Sequence, residues 1–149
     1  MHYNKEKEIL LTIISSFFIT GFYALYVYYE YVAGNPEIIN SMKFWGIAFL
    51  VLIPVSIIAQ IIIHIIFAII NKILTNEDVP NISDERDKLI DLKAIRISHW
   101  IFTFGFLLAM ASQAFEMPPY IMFITLFIFG FIASMTSGIV KILMYRRGF

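Results

Sequence analysis

Four long apolar runs constrain this chain more than any other feature: Ile9 to Val32, Phe44 to Ile70, Ile97 to Phe115 and Tyr120 to Tyr145. Each has the roughly 17–25 residues or more that a tilted helix needs to cross about 30 Å of hydrocarbon. In lipid every backbone polar group must be satisfied within the protein, which leaves helices or closed barrels. The runs lack the alternation of barrel strands, so they predict helices. Composition agrees, since 60% of the 149 side chains are hydrophobic, whereas soluble domains carry roughly 45–50% apolar residues. The expected fold is all-α, a single transmembrane domain over 1–149 built as an integral membrane four-helix bundle.

Orientation follows from the basic residues. Placing the N-terminus, the middle loop and the C-terminus on one side collects ten of the 11 Lys and Arg residues there and leaves only Lys43 on the other. Cytoplasmic loops carry such an excess, so both termini and the hairpin 72–96 are expected in the cytosol, with the chain in the cell membrane. The loops expected outside, 33–42 and 116–119, are too short to form a domain. The formal net charge is zero, which predicts no nucleic-acid partner, and the absence of cysteine excludes thiolate chemistry.

The hairpin is the one sizeable polar segment. Asn76 to Pro80 should end the second helix, and Ser83, with Asp84 and Glu85 in the first turn after it, reads as a helix start. With no breaker before the membrane, the third helix is expected to extend into the cytosol and run unbroken into its span. At 100° per residue Asp84, Asp87 and Asp91 share one stripe, and Arg86, Lys93 and Arg96 lie broadly opposite. This pattern suits a docking surface for a cytosolic protein, with the basic side on headgroups or the bundle and the acidic side toward a cationic partner. It equally suits a solvated helix held by i,i+4 pairs worth about 0.2–0.5 kcal/mol each.

The segment Asp84-Glu85-Arg86-Asp87-Lys88-Leu89-Ile90-Asp91-Leu92-Lys93-Ala94 resembles a stretch preceding the third span in a family of small prokaryotic four-helix membrane proteins classed only as a domain of unknown function. The likeness lies in the Asp-Glu-Arg-Asp run, Ile90, the Lys93-Ala94 pair and the placement of the spans. It implies the architecture and marks the hairpin as characteristic, without implying a substrate.

Within the membrane, Ser56, Gln60 and His64 form a polar stripe on the second span, and Thr103 of the third reaches a depth similar to that of His64. Such groups should face the bundle, a cavity or another copy. The stripe reads either as interhelical hydrogen bonding or as an ion path, and a hydrated cavity around it would favour the second. In the fourth span Gly130, Ser134 and Gly138 make a small-xxx-small face, which seats the helix either on the first span, beside Thr12, Ser16 and Thr20, or on a second copy in a homodimer or higher oligomer. No nucleophile elbow, HExxH or phosphate-binding glycine loop occurs. No catalytic residue, metal or cofactor is therefore expected. The expected function is non-enzymatic, a multi-pass membrane protein whose charged hairpin binds or regulates a partner. A small oligomeric transporter or channel using the polar stripe is the alternative.

Overall fold

The computed structural model describes residues 2–76 and 84–148, with side chains from Lys5 onward. The helices are α1 (His2–Val27), α2 (Met42–Thr75), α3 (Glu85–Ala114) and α4 (Pro119–Arg146), and among the described residues there is no strand. All four are long and apolar enough to cross a membrane. At 34 residues α2 is the longest, spanning about 51 Å at 1.5 Å per residue, well beyond the hydrocarbon thickness. It runs on through Pro54 without interruption.

Local chemistry sets the ends. α1 passes directly into a π-helical turn, Tyr28–Val32, closed by the Ala33 N–H donating to the Tyr28 carbonyl at 2.8 Å. A 3-10 turn, Pro36–Asn40, leads to Ser41, whose hydroxyl caps α2 by accepting from the Phe44 N–H. α2 stops at Asn76 in the left-handed region (φ 56°), a conformation that asparagine tolerates better than most residues. Between α3 and α4, Glu116 takes φ 60°, while the Glu116 N–H donates to the Gln113 carbonyl and the Met117 N–H to that of Ser112. That pair of bonds is the Schellman arrangement, with Glu where Gly is usual.

The helices are arranged unevenly. α3 and α4 pack along their length, α1 lies against α4, and α2 lies against α1. Among the described residues α3 makes no close backbone approach to α1 or α2. α2 also reaches α4 at the end away from the termini, where Trp45 stacks on Phe123 (5.8 Å between centroids) and Phe49 on Phe127 (5.7 Å).

Small residues decide how closely helices approach, because packing rather than water expulsion drives their association in lipid. A Cβ on Gly105 would stand 2.2 Å from the Phe129 Cβ, so α3 and α4 touch there nearly backbone to backbone. Ala94 and Ala109 are fully buried along the same seam, which sequence reading did not single out. On α4, a Cβ at Gly138 would meet Ile13 of α1 at 2.5 Å, whereas one at Gly130 would make ordinary contact with Phe102 of α3. The small-xxx-small face is thus shared between two neighbours within the chain.

Candidate functional site

Asp87, Ile90, Ala94, Ile142 and Tyr145, all buried, lie at the end carrying both termini. Asp84 is the N-cap of α3, one residue after the expected start; Ser83 itself falls outside the described residues. The Asp87 N–H donates to Asp84 Oδ1 at 2.8 Å, and the Asp84 N–H donates back to Asp87 Oδ2 at 3.2 Å. This reciprocal cap satisfies two backbone donors that a helix start leaves open. It also fixes the Asp87 carboxylate, which accepts from the Tyr145 hydroxyl at the end of α4 and lies 3.4 Å from the Lys5 ammonium of α1.

Asp87 is only 8% exposed, beside the buried Ile90, Ala94, Ile142 and Tyr145. Burial alone would raise its pKa, but the Tyr145 hydroxyl, the Asp84 backbone N–H and the Lys5 ammonium together outweigh it and hold the carboxyl below its ordinary value. Around this centre Asp91 pairs with Lys141 at 3.2 Å and Glu6 with Arg146 at 3.4 Å. The Arg86 guanidinium lies 5.5 Å from the centre of the Tyr145 ring and donates to the Tyr145 carbonyl at 3.5 Å. One residue from α3 thereby clasps the ends of α1 and α4.

The structure redistributes the two faces expected of this helix. Asp87 and Asp91 share a stripe as expected, but it turns into the chain's own cations, and among the described residues Asp84 alone of the three makes no ion pair. Arg86 sits against Tyr145 rather than on an outward basic side. The outward face is a ribbon of Lys88, Leu89, Leu92, Ile95 and Arg96, with Leu92 63% exposed, and Lys93 is half-buried at its edge. Sequence alone marks Lys5 and Lys141 only as basic residues of the end bearing both termini and Tyr145 only as the end of the fourth run, not as partners of Asp87 or Asp91.

A second polar constellation joins α1 to α2. Gln60 accepts from the Ser15 hydroxyl at 3.0 Å and donates to Ser16 at 2.8 Å. His64 Nδ1 bonds the Gln60 carbonyl at 2.8 Å, and Nε2 meets the Thr12 hydroxyl at 3.0 Å. A carbonyl oxygen only accepts, so Nδ1 carries a proton in this arrangement. The third member of the stripe, Ser56, lines a shallow groove with Gln60, Ser16 and Thr20. Thr103 does not join them, because α3 makes no approach to α2. Equal depth along a membrane normal does not make two helices neighbours.

A polar cleft of about 340 Å³ lies beside α4, lined by Thr12 and Ser16 of α1, Ser98 of α3, and Ser134, Ser137 and Lys141 of α4. Among the described residues no cluster of His, Asp or Glu could hold a metal ion. Comparison with known families, with curated proteins and with solved structures finds no match.

Proposed function

We propose that this chain is a non-enzymatic multi-pass protein of the cell membrane that binds a cytosolic partner through the outward ribbon of α3. The observation that carries this reading is the division of the third helix. Asp87 and Asp91 of its acidic stripe are engaged by Lys5, Lys141 and Tyr145, which leaves a basic and apolar ribbon from Lys88 to Arg96 facing away from the bundle. A partner fitting that ribbon offers acidic side chains around an apolar patch. The hydrogen bonds closing Gln60 and His64 against α1 support an adhesive role for the stripe. The likeness of 84–94 to a four-helix family of unknown function belongs to the same proposal.

The reading rests on a cytosolic location for the end bearing both termini, where ten of the 11 basic residues are expected. Because the chain has no cysteine of its own, single cysteines report location cleanly. Those at Asn4 and Gly148 should resist an impermeant thiol reagent added to intact cells, and one at Asn35 should react. Labelling at Gly148 from outside would overturn the topology.

Charge reversal tests the ribbon. The double variant Lys88→Glu, Arg96→Glu should insert and melt like the parent, since both side chains point away from the bundle, yet lose at least about tenfold in recovery of partners captured in mild detergent. Undiminished capture would remove the ribbon from consideration. The cleft beside Ser134 and Ser137 favours transport as a second reading. Proton or potassium flux in reconstituted vesicles, abolished by His64→Leu or Ser134→Leu, would establish that one instead.

A further inference from the structure

At the end away from the termini a cavity of about 440 Å³ opens between α1 and α2, lined among others by Tyr26, Tyr31, Ser41, Lys43, Ile47 and Val51. That volume lies within the 300–1,000 Å³ range of small-molecule sites. We propose that it holds one phospholipid, with the phosphate at Lys43 and an acyl chain in the cleft below. Three features point to this occupant.

Lys43 has no ion-pair partner among the described residues, and by sequence it is the single basic side chain of this end of the chain. Beside it, the Ser41 hydroxyl uses its oxygen to accept from the Phe44 N–H and so keeps its proton to donate. The π-helical turn supplies the third side. In an α-helix, residues five apart diverge by about 140° at 100° per residue. The wider turn at Tyr28–Val32 swings Tyr31 back onto Tyr26, with ring centroids 6.3 Å apart, and onto Phe44 of α2 at 6.4 Å. Two phenols consequently stand in the cavity wall at the level where aromatic rings meet headgroups.

The lining changes character with depth. From Lys43 to Val51 the helix descends about 12 Å at 1.5 Å per residue, passing Ile47 and Ala48. Tyr23 meets this wall by donating its hydroxyl to the Ala48 carbonyl at 2.5 Å. A cationic, hydroxyl-bearing mouth above an apolar floor matches a phosphate joined to a hydrocarbon chain. A free phosphate would leave the floor unused, and an uncharged lipid would leave Lys43 unpaired.

The test uses the full chain in detergent micelles with Trp100→Phe, which leaves Trp45, near the cavity, as the single tryptophan. Titration with phosphatidylglycerol brominated in its acyl chains should quench Trp45 saturably. Lys43→Gln should weaken that binding at least about tenfold, the loss of one charge-assisted contact, and Val51→Phe should weaken it by narrowing the floor. Brominated diacylglycerol should bind as poorly as Lys43→Gln does, and inorganic phosphate should not compete. Circular dichroism checks that both variants keep the parent's helix content. Equal quenching of parent and Lys43→Gln, equal quenching by the uncharged lipid, or displacement by inorganic phosphate would each overturn the assignment.

Discussion

Asp87→Ala should cost about 2–4 kcal/mol of stability, because it removes a capping partner and leaves the buried Tyr145 hydroxyl without its acceptor. The loss should be read by thermal unfolding in detergent, and Lys5, partly exposed, can turn to solvent and limit it. Tyr145→Phe should cost less. The double variant should fall short of the sum, since both single changes break the same bond. Acidity should act through the same group. Its folded pKa lies below the ordinary value, so its contribution is fully present above about pH 3.9 and is lost as pH falls through the depressed folded value. The parent should therefore lose stability at strongly acidic pH, and Asp87→Asn should lose less. Matching acid profiles for the two would show that Asp87 does not carry the clasp.

A larger effect is expected from Gly105→Ala. The added Cβ would meet the Phe129 Cβ at 2.2 Å and its Cγ at 2.3 Å, and that Cβ cannot move without the α4 backbone. Overpacking a tight core typically costs 1–3 kcal/mol; a clash at backbone level should reach about 3 kcal/mol or more. Truncation to Phe129→Ala should not rescue the variant, because the offending Cβ stays. Gly21 and Gly46 have nothing within 4 Å of an added Cβ, so alanine at either should be neutral or stabilise by up to about 1 kcal/mol. If all three alanine variants melted together, the close α3–α4 approach would be refuted.

The helices were legible because hydrophobic length in lipid is close to a direct readout of them, and the four runs fall on α1 to α4, with the end of the first in the π-helical turn and that of the third on the α3 cap, Phe115. The extension of α3 past its apolar run was legible too, from an acidic start with no breaker after it. What the extension touches was not. A periodicity calculation shows that Asp87 and Asp91 share a face, but nothing local says that Lys5 and Lys141 come to meet it. Similarly, Thr12, Ser16 and Thr20 are visible in sequence as a small polar stripe, one of two seats for α4 beside a second copy. Gln60 and His64 of α2 take up much of the hydrogen-bonding capacity of Thr12 and Ser16 instead, while Ile13, between these two, meets Gly138. Helix adjacency is set by side-chain volume at positions such as Gly105, and one sequence read span by span does not rank those pairings.

The clasp also imposes an order on biogenesis. Lys5 leaves the ribosome before Asp87 and Asp87 before Tyr145, and the carboxylate cannot be fully satisfied until the last has emerged. A nascent chain halted after α3 presents Asp87 with its cap and Lys5 but without the Tyr145 hydroxyl. Until α4 arrives, that carboxylate must stay hydrated, which keeps the start of α3 open to water. Closure of the clasp therefore follows delivery of the fourth helix to the start of the third.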